Sequence, residues 1–200
     1  METRKYNPNK VLPFIPFYYG AEVFGGHFGD EGKGKVVDIL ARNFKERGLN
    51  ILSVRGQGSG NAGHTVVVDG KKYDFHYLTS AGLSADIMLL GAGMLIDPIR
   101  VLEEAKKLPE EKRKIIVIDE RAVLCSDLDR YMDEYIENAR KNMGSSTIGT
   151  TKSGVGPCEG TRRFRIHLTF ADTLRFKNAE QLYKALTTRP LVPDEIKSLI

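Results

Sequence analysis

A glycine-rich, charged loop at Gly29–Lys35 constrains this chain more than any other feature. It reads Gly-Asp-Glu-Gly-Lys-Gly-Lys, and its three glycines let the backbone turn tightly enough for amide groups to approach an anion. An apolar stripe that includes Ile39, Leu40 and Phe44 predicts an amphipathic helix over Lys35–Arg47, directly after the loop. Because a helix N-terminus behind a glycine loop binds phosphate well, the segment predicts a phosphate site.

The loop departs from the common phosphate-loop pattern. Gly29, Gly34 and Lys35 have the Walker A spacing, but Val36 stands where that pattern has the Ser or Thr that holds magnesium. Asp30 adds a carboxylate to a loop built for phosphates, which is repulsive unless the group binds a metal ion or takes a proton from a substrate. Asp30 is therefore predicted to be functional, with both roles open.

A second glycine-rich segment, Arg55–Thr65, lies between two apolar runs, residues 51–54 and 66–68, and is predicted to be a loop between strands. Its glycines let the chain pass close to a ligand. Asn61 can hydrogen-bond to an amide or hydroxyl edge, and His64 can donate or shuttle a proton near neutral pH. The segment therefore predicts a second part of a ligand site.

The alternation of strands and helices predicts an α/β fold with a mixed, mostly parallel central sheet flanked by helices and a P-loop-like phosphate-binding loop. The predicted strands are Ala21–Gly25, Ile51–Arg55, Thr65–Val68, Lys72–Leu78, Asp86–Gly91 and Lys114–Asp119, with a hairpin turn at Asp69-Gly70. The predicted helices are Lys35–Arg47, Asp97–Leu108, Ser126–Met143 and Ala179–Leu186. The third helix carries an apolar stripe that is expected to pack in the core: Leu128, Met132, Tyr135, Ile136 and Ala139.

Composition favours a cytoplasmic enzyme that acts on anionic substrates. The hydrophobic fraction of 41% over 200 residues can build a core, and no apolar run reaches the ~20 residues of a membrane span. The apolar segment Val11–Tyr19 contains two prolines and no cleavage site, so a signal peptide is not expected. The two cysteines, Cys125 and Cys158, have no metal-binding spacing and indicate reduced thiols. A net charge of +4 is too small to predict nucleic-acid binding, and we expect no membrane partner.

Five segments together resemble the adenylosuccinate synthetase family, in its order and close to its spacing. Gly29–Lys35 is similar to the family's loop for GTP and IMP, and Asn61–Thr65 matches its Asn-Ala-Gly-His-Thr motif. Phe75–Leu83 is similar to its His-containing strand and turn, and Leu90–Glu104 to its Gly-x-Gly segment before a Pro-headed helix. Ile148–Pro157 resembles its IMP-phosphate loop. The resemblance runs from about Ala21 to about Asp172.

The resemblance implies specific catalytic roles. Asp30 would be the general base on N1 of IMP and a magnesium ligand, and the carbonyl of Gly63 would be a second magnesium ligand. His64 would stabilise charge on GTP and on the phosphorylated intermediate, Lys33 would contact phosphate oxygens, and Asn61 would touch the nucleotide. The full implied nucleotide and phosphate set is Gly29, Asp30, Glu31, Gly32, Lys33, Gly34, Lys35, Asn61, Ala62, Gly63, His64, Thr65, Thr151 and Arg165.

Two of these residues lie later in the chain. Thr151 would bind the IMP phosphate. Arg165 aligns without gaps to an arginine that crosses a dimer into the neighbouring site, which implies a homodimer, although Arg162 and Arg163 compete for that role. From the residues alone, the favoured interpretation of Thr161–Arg165 is a solvated basic turn, and it is the resemblance that favours an interface role.

The implied reaction joins L-aspartate to IMP through a 6-phosphoryl-IMP intermediate, giving adenylosuccinate, GDP and phosphate, in AMP biosynthesis. GTP is the co-substrate and Mg²⁺ the cofactor. The chemistry agrees with the residues, because removing the N1 proton makes the C6 oxygen nucleophilic and phosphorylation then makes it a leaving group. One alternative is the related phage-type ligase that uses dGMP; that group often replaces the base Asp, so the presence of Asp30 favours IMP.

Length is the largest departure from the family. Residues 1–20 are expected to be an N-terminal extension, and residues 21–200 resemble only the N-terminal portion of the family's nucleotide-binding domain, ending inside a predicted helix at Pro193–Ile200. We expect an N-terminal fragment, a truncated product or one half of a split enzyme, whose second chain would carry the aspartate loop and the guanine-selecting residues. An inactive nucleotide-binding fragment is a further alternative. Smaller departures are Phe28, in place of a Trp, and Lys152-Ser153, in place of Gly-Arg or Gly-Lys.

Overall fold

The computed structural model describes residues 20–27, 29–144, 146, 149–189 and 192–194. In chain order the elements are α1 (Lys33–Glu46), β1 (Leu52–Gly58), β2 (His64–Val68), β3 (Lys71–Phe75), β4 (Ile87–Ile96), α2 (Pro98–Lys106), α3 (Glu110–Arg113), β5 (Ile116–Ile118), β6 (Val123–Leu124), α4 (Asp127–Asn142), α5 (Val155–Arg163), α6 (Phe170–Thr173) and α7 (Ala179–Thr187). The extension predicted at 1–20 lies outside the described residues except for Gly20, and the terminal helix predicted at Pro193–Ile200 lies largely outside them. Across the described ranges, no helix is long and apolar enough to cross a membrane.

The predicted α/β class is confirmed. β1 pairs in parallel with β4, and β4 pairs in parallel with β5 and, further along, with β6. β2 and β3 form a separate antiparallel hairpin. Its turn is at Asp69 and Gly70, both with positive φ, as predicted for a tight two-residue turn.

The strand predicted at Ala21–Gly25 is wrong, because residues 20–25 have no regular structure. This segment turns back onto the charged loop that follows it. The backbone amide of His27 donates to Glu31 Oε1 at 2.9 Å. A Cβ at Gly25 would lie 2.6 Å from the same carboxylate. The segment therefore contacts the loop at its end instead of adding a strand to the sheet.

Two glycines allow β1 and β4 to come unusually close. The ladder between them shifts register between Arg55 and Gln57. A Cβ at Gly93 would lie 2.4 Å from the carbonyl oxygen of Gly56, so no other residue fits there without moving a strand. This close contact fixes the position of the carboxyl end of β1, which leads into the loop before His64.

The two faces of the parallel sheet differ in burial. On one face Met88 and Leu90 are completely buried in the main core, together with Val101 of α2. The opposite face, here called the bare face, is formed by in-register aliphatic side chains that stay about half exposed: Leu52 (58%), Val54 (53%), Ile87 (46%) and Val117 (46%). Parallel sheets are normally covered on both faces, so the bare face is a surface suited to further packing.

The apolar stripe of α4 packs only in part, so its predicted place in the core is partly wrong. Leu128 and Met132 are buried against Val192, but Tyr135 and Ile136 are exposed. The helix begins over the core, and its second half continues beyond the residues that could cover it. α5 packs alongside α4 and was not predicted as a helix.

Candidate functional site

The Gly29–Lys35 loop is held in left-handed backbone conformations that point it into α1. Gly29, Asp30 and Gly32 have φ values of 131°, 59° and 80°. Gly32 is the N-cap of α1, and within the described chain no side chain caps that end of the helix. The amide groups of the first turn are therefore available, and they form a favourable place for an anion.

Charges within the loop are partly paired. Lys33 forms an ion pair with Glu31, and this hydrogen bond, together with backbone amides, lowers the pKa of Glu31 to about 2. The side chain of Asp30, in contrast, makes no hydrogen bond or ion pair with any residue that the structure describes. A non-glycine residue in the left-handed region is uncommon, so Asp30 is a strained residue with an uncommitted carboxylate.

His64 begins β2 and is oriented by a backbone carbonyl. Its Nε2 lies 2.9 Å from the oxygen of Leu78. Because a carbonyl oxygen only accepts, Nε2 must carry the proton of this hydrogen bond. Among the described residues Nδ1 has no partner, which leaves it as the ring nitrogen available to a ligand. Burial and, to a smaller extent, the charge of Arg55 lower the pKa of His64.

The two glycine-rich segments meet at Gly34, in the first turn of α1. A Cβ at this position would lie 3.1 Å from Cβ of His64 and 2.9 Å from Oγ of Ser80. A larger residue would crowd His64, which would have to move by a few tenths of an ångström, and Ser80 would have to rotate. The structure thus brings the phosphate-type loop and the histidine into one site.

The turn before His64 lies against aromatic rings and also requires glycine. A Cβ at Gly60 would lie 2.5 Å from the ring of Tyr77, and one at Gly63 would lie 2.9 Å from Cε1 of His76. Asn61 and Ala62 are exposed at the tip of this turn, next to Gly63. Thr65 is also exposed, and its hydroxyl donates to Asp74 at 2.5 Å.

A cleft of about 250 Å³ lies beside the site, between α1 and β2. Lys35 and Thr65 line it together with Asp38 and Arg42. Asp38 is buried and paired with Arg42, yet one of its carboxylate oxygens has no partner in the described part of the chain. Burial raises the pKa of Asp38 despite this arginine. The cleft therefore provides polar groups next to the proposed anion site.

The loop that contains Thr151 forms a second glycine-capped helix start. Gly154 has a φ of 75° and is the N-cap of α5. Its amide donates to Asp133 at 3.0 Å, and Lys152 pairs with Glu134 at 2.8 Å, so α4 fixes the loop. The hydroxyl of Thr151 is exposed and 2.7 Å from that of Ser153.

The three arginines after this loop are in different environments. Arg162 and Arg163 both pair with Glu159, at 3.4 and 2.8 Å, and Arg162 also donates to the carbonyl of Gly93. Arg165 is exposed with a φ of 59°, and its side chain has no partner within the described ranges. Likewise, within those ranges no hydrogen bond or ion pair joins Thr151 or Arg165 to the site around His64.

Glu104 is a site residue that the sequence analysis did not identify. It lies in α2 and is only 5% exposed, and its carboxylate accepts hydrogen bonds from the amides of His76, Tyr77 and Leu78 at 2.8–3.1 Å. These bonds replace the β ladder, which explains why β3 ends at Phe75 and not at the predicted Leu78. The sequence does contain a sign of this buried role, because Glu104 is a charged residue within the apolar stripe of its helix.

The donor atoms at the site fit a magnesium ion. Mg²⁺ prefers oxygen ligands and is usually held by one or two protein groups plus water and substrate phosphates. The unpaired carboxylate of Asp30 and the backbone carbonyl of the exposed Gly63 are ligands of this type.

Comparison with known proteins identifies relatives over most of the chain. The family model described as adenylosuccinate synthetase matches residues 22–192. The adenylosuccinate synthetase of Picrophilus torridus is 39% identical over 183 residues, which are 88% of this chain and 42% of that protein. The Alkaliphilus metalliredigens protein of the same name is 37% identical over 180 residues, covering 87% of this chain and 40% of that one. The chain thus spans about two fifths of the length of these curated relatives.

Solved structures indicate the same family relationship. The fully ligated adenylosuccinate synthetase of Plasmodium falciparum has a TM-score of 0.70 and 31% identity, covering 88% of this chain and 38% of that chain. The succinoaminodeoxyadenylate synthetase of cyanophage S-2L, bound to dGMP and dATP, has a TM-score of 0.56 and 25% identity, covering 74% and 39%. On the match to the family model over residues 22–192, this chain belongs to the adenylosuccinate synthetase family.

Proposed function

We propose that this chain supplies the phosphoryl-transfer site of a cytoplasmic ligase that joins L-aspartate to IMP and converts GTP to GDP and phosphate. The observation that carries the proposal is the junction at Gly34, where an uncapped helix N-terminus meets His64 directly after the loop that contains the unpaired carboxylate of Asp30. Family membership supplies the reaction, and the junction supplies groups of the required chemistry.

The first step would activate IMP. Asp30 takes the N1 proton, which moves negative charge to the C6 oxygen, and that oxygen attacks the γ-phosphorus of GTP so that GDP leaves. A positioned base typically contributes about 10²–10⁴-fold to such a step. In the second step the amino group of aspartate attacks C6, and phosphate leaves with the C6 oxygen.

The loop and His64 would stabilise the moving phosphoryl group. The amides of the first turn of α1 and the ammonium of Lys33 face developing negative charge, which is the main source of catalysis in phosphoryl transfer. Nδ1 of His64 would contact the same group. A magnesium ion held by Asp30 and the carbonyl of Gly63 would reduce the negative charge of the phosphates.

The aspartate site and the guanine-selecting residues would lie in the part of the family fold that this chain does not span. The bare face supports this assignment, since three adjacent parallel strands present aliphatic side chains with no cover among the described residues. We propose that this further part of the fold, on the same or a second polypeptide, packs there. Residues 21–200 would then be the N-terminal portion of the complete nucleotide-binding domain.

The same proposal includes a homodimer. Arg165 is the one arginine of its group whose side chain is unpaired within the described ranges, so it is the best placed to reach a phosphate in a neighbouring subunit. Its planar guanidinium can bind two phosphate oxygens at once. Thr151, in the loop before α5, would contact the same IMP phosphate.

A ligation assay with several substrates tests the proposed function. The chain would be mixed with the C-terminal portion of the Picrophilus torridus relative and supplied with aspartate, Mg²⁺ and either IMP or dGMP, with GTP or ATP. Mass spectrometry should detect adenylosuccinate only with IMP and most rapidly with GTP. Product from dGMP alone would assign the chain to the phage-type reaction. Binding of GTP without any product in the mixture would indicate an inactive nucleotide-binding fragment.

A further inference from the structure

We propose that Glu104 is a positioning residue for His64, and this inference rests on the proposed role of His64 in phosphoryl transfer. The buried carboxylate of Glu104 would hold the backbone of residues 76–78, and the carbonyl of Leu78 would in turn fix the orientation and the tautomer of the His64 ring.

The first half of this arrangement is a carboxylate surrounded by consecutive amides. Glu104 Oε1 accepts from the amides of His76 at 2.8 Å and Tyr77 at 3.1 Å. Oε2 accepts from the amides of Tyr77 at 3.0 Å and Leu78 at 3.1 Å. Hydrogen bonds to an ionised acceptor are stronger than neutral ones. Because three successive amides converge on one side chain, the backbone conformation from His76 to Leu78 depends on Glu104.

The second half of the arrangement is the hydrogen bond that connects this backbone to His64. The amide of Leu78 donates to Glu104, and the carbonyl of the same residue accepts from Nε2 of His64 at 2.9 Å. The position of that carbonyl determines which ring nitrogen is protonated and where Nδ1 points. A shift of residues 76–78 would therefore change the position of Nδ1, the ring nitrogen proposed to face the ligand.

The same segment also supports the turn before His64. His76 Nδ1 lies 3.0 Å from the carbonyl of Gly60, to which it must donate, and its ring packs against Gly63. Arg55 donates to the carbonyls of both His76 and Ser59, so it joins the segment to the end of β1. Thus both sides of the turn depend on the backbone that Glu104 holds.

Glutamine is the informative substitution at this position. It keeps the size of the side chain and one acceptor oxygen, but it replaces the other oxygen with an NH₂ donor that would face an amide donor. At least one of the three amides then loses its acceptor, and a buried donor without a partner is unfavourable. The neighbouring exposed residue Glu103 allows the same change of charge on the same helix without these bonds.

The test is NMR spectroscopy of histidine-labelled chain at pH 8. The chain has four histidines, and two-bond ¹⁵N–¹H spectra distinguish protonated from unprotonated ring nitrogens. Wild type and Glu103→Gln should show His64 as one tautomer, protonated at Nε2. In Glu104→Gln the tautomer ratio should fall by about fivefold, the change expected from the loss of one hydrogen bond of ordinary net strength. A purely structural role would lower the melting temperature and leave this ratio unchanged.

Two results would overturn the proposal. One is a folded Glu104→Gln chain whose His64 keeps the wild-type tautomer ratio. The other is measured on wild type, so it does not depend on folding of the variant. Scalar couplings should be present across the hydrogen bonds from the amide nitrogens of Tyr77 and Leu78 to Cδ of Glu104. The absence of these couplings would refute the geometry. Neither readout needs ligation activity, so a failure of the proposed function is distinguished from a failure of this inference.

Discussion

Replacing Gly34 with alanine tests the contact that joins the two halves of the site. Gly34 is the second residue of α1, where alanine favours a helix over glycine by up to about 1 kcal/mol. The added Cβ would lie 3.1 Å from Cβ of His64, which is fixed to the backbone, and 2.9 Å from Oγ of Ser80, which can rotate. Overpacking in a dense region costs about 1–3 kcal/mol. We expect the two effects to leave the free energy of unfolding unchanged or lower by up to about 2 kcal/mol.

Gly160 provides a matched control. It lies inside α5, and a Cβ there would meet no atom of a residue outside its own part of the helix within 4 Å. Gly160→Ala should therefore raise the free energy of unfolding by roughly 0.5–1 kcal/mol in urea denaturation followed by circular dichroism. GTP affinity should fall in Gly34→Ala because the helix N-terminus moves away from His64. Equal stabilisation of both variants, with unchanged GTP affinity in Gly34→Ala, would refute the contact.

Three further predictions concern catalysis, pH and assembly. Asp30→Asn should lower ligation turnover by about 10²-fold or more, whereas Asp69→Asn, an exposed aspartate with a similar positive φ, should leave turnover unchanged. Hydrogen bonds from Lys45 and a backbone amide lower the pKa of Asp86. The ionised Asp86 side chain therefore stabilises the fold at pH values above the ordinary aspartate pKa of about 4. In acid titrations, the difference in stability between wild type and Asp86→Asn should disappear as pH falls through the lowered pKa. Mixing inactive Asp30→Asn and Arg165→Ala chains should restore some ligation activity if dimers share their sites, and mixed dimers that form but stay inactive would exclude this role for Arg165.

The sequence was sufficient to predict the parts of the fold that depend on local pattern. The Gly29–Lys35 loop, the hairpin turn at Asp69 and the α/β class follow from backbone freedom and hydrophobic periodicity. The loop predicted at Arg55–Thr65 is too long, because β1 continues to Gly58 and β2 begins at His64. The helix α5 was not predicted because Gly156, Pro157 and Gly160 are typical of loops. Proline fits in the first turn of a helix, where its missing amide has no partner to lose.

Other features depend on tertiary contacts and could not be predicted from pattern. The apolar stretch at Ala21–Gly25 has strand-like composition, but the charge of Glu31 draws the following backbone amide toward the loop. The buried role of Glu104 depends on three amides from a distant segment that only the folded chain brings to it. The proximity of Gly34 and His64 is likewise a tertiary contact, although both residues were predicted for one site.

The most direct test of the proposed site is whether the Gly29–Lys35 loop and His64 bind one ligand together. Amide chemical shifts of ¹⁵N-labelled chain would be followed during titration with GTP in the presence of Mg²⁺. We expect the amides of Gly32, Lys33, Gly34 and His64 to shift together with a single dissociation constant, and Asp30→Asn to weaken the effect of Mg²⁺. Separate dissociation constants for the loop and for His64, or shifts confined to another part of the chain, would contradict this expectation.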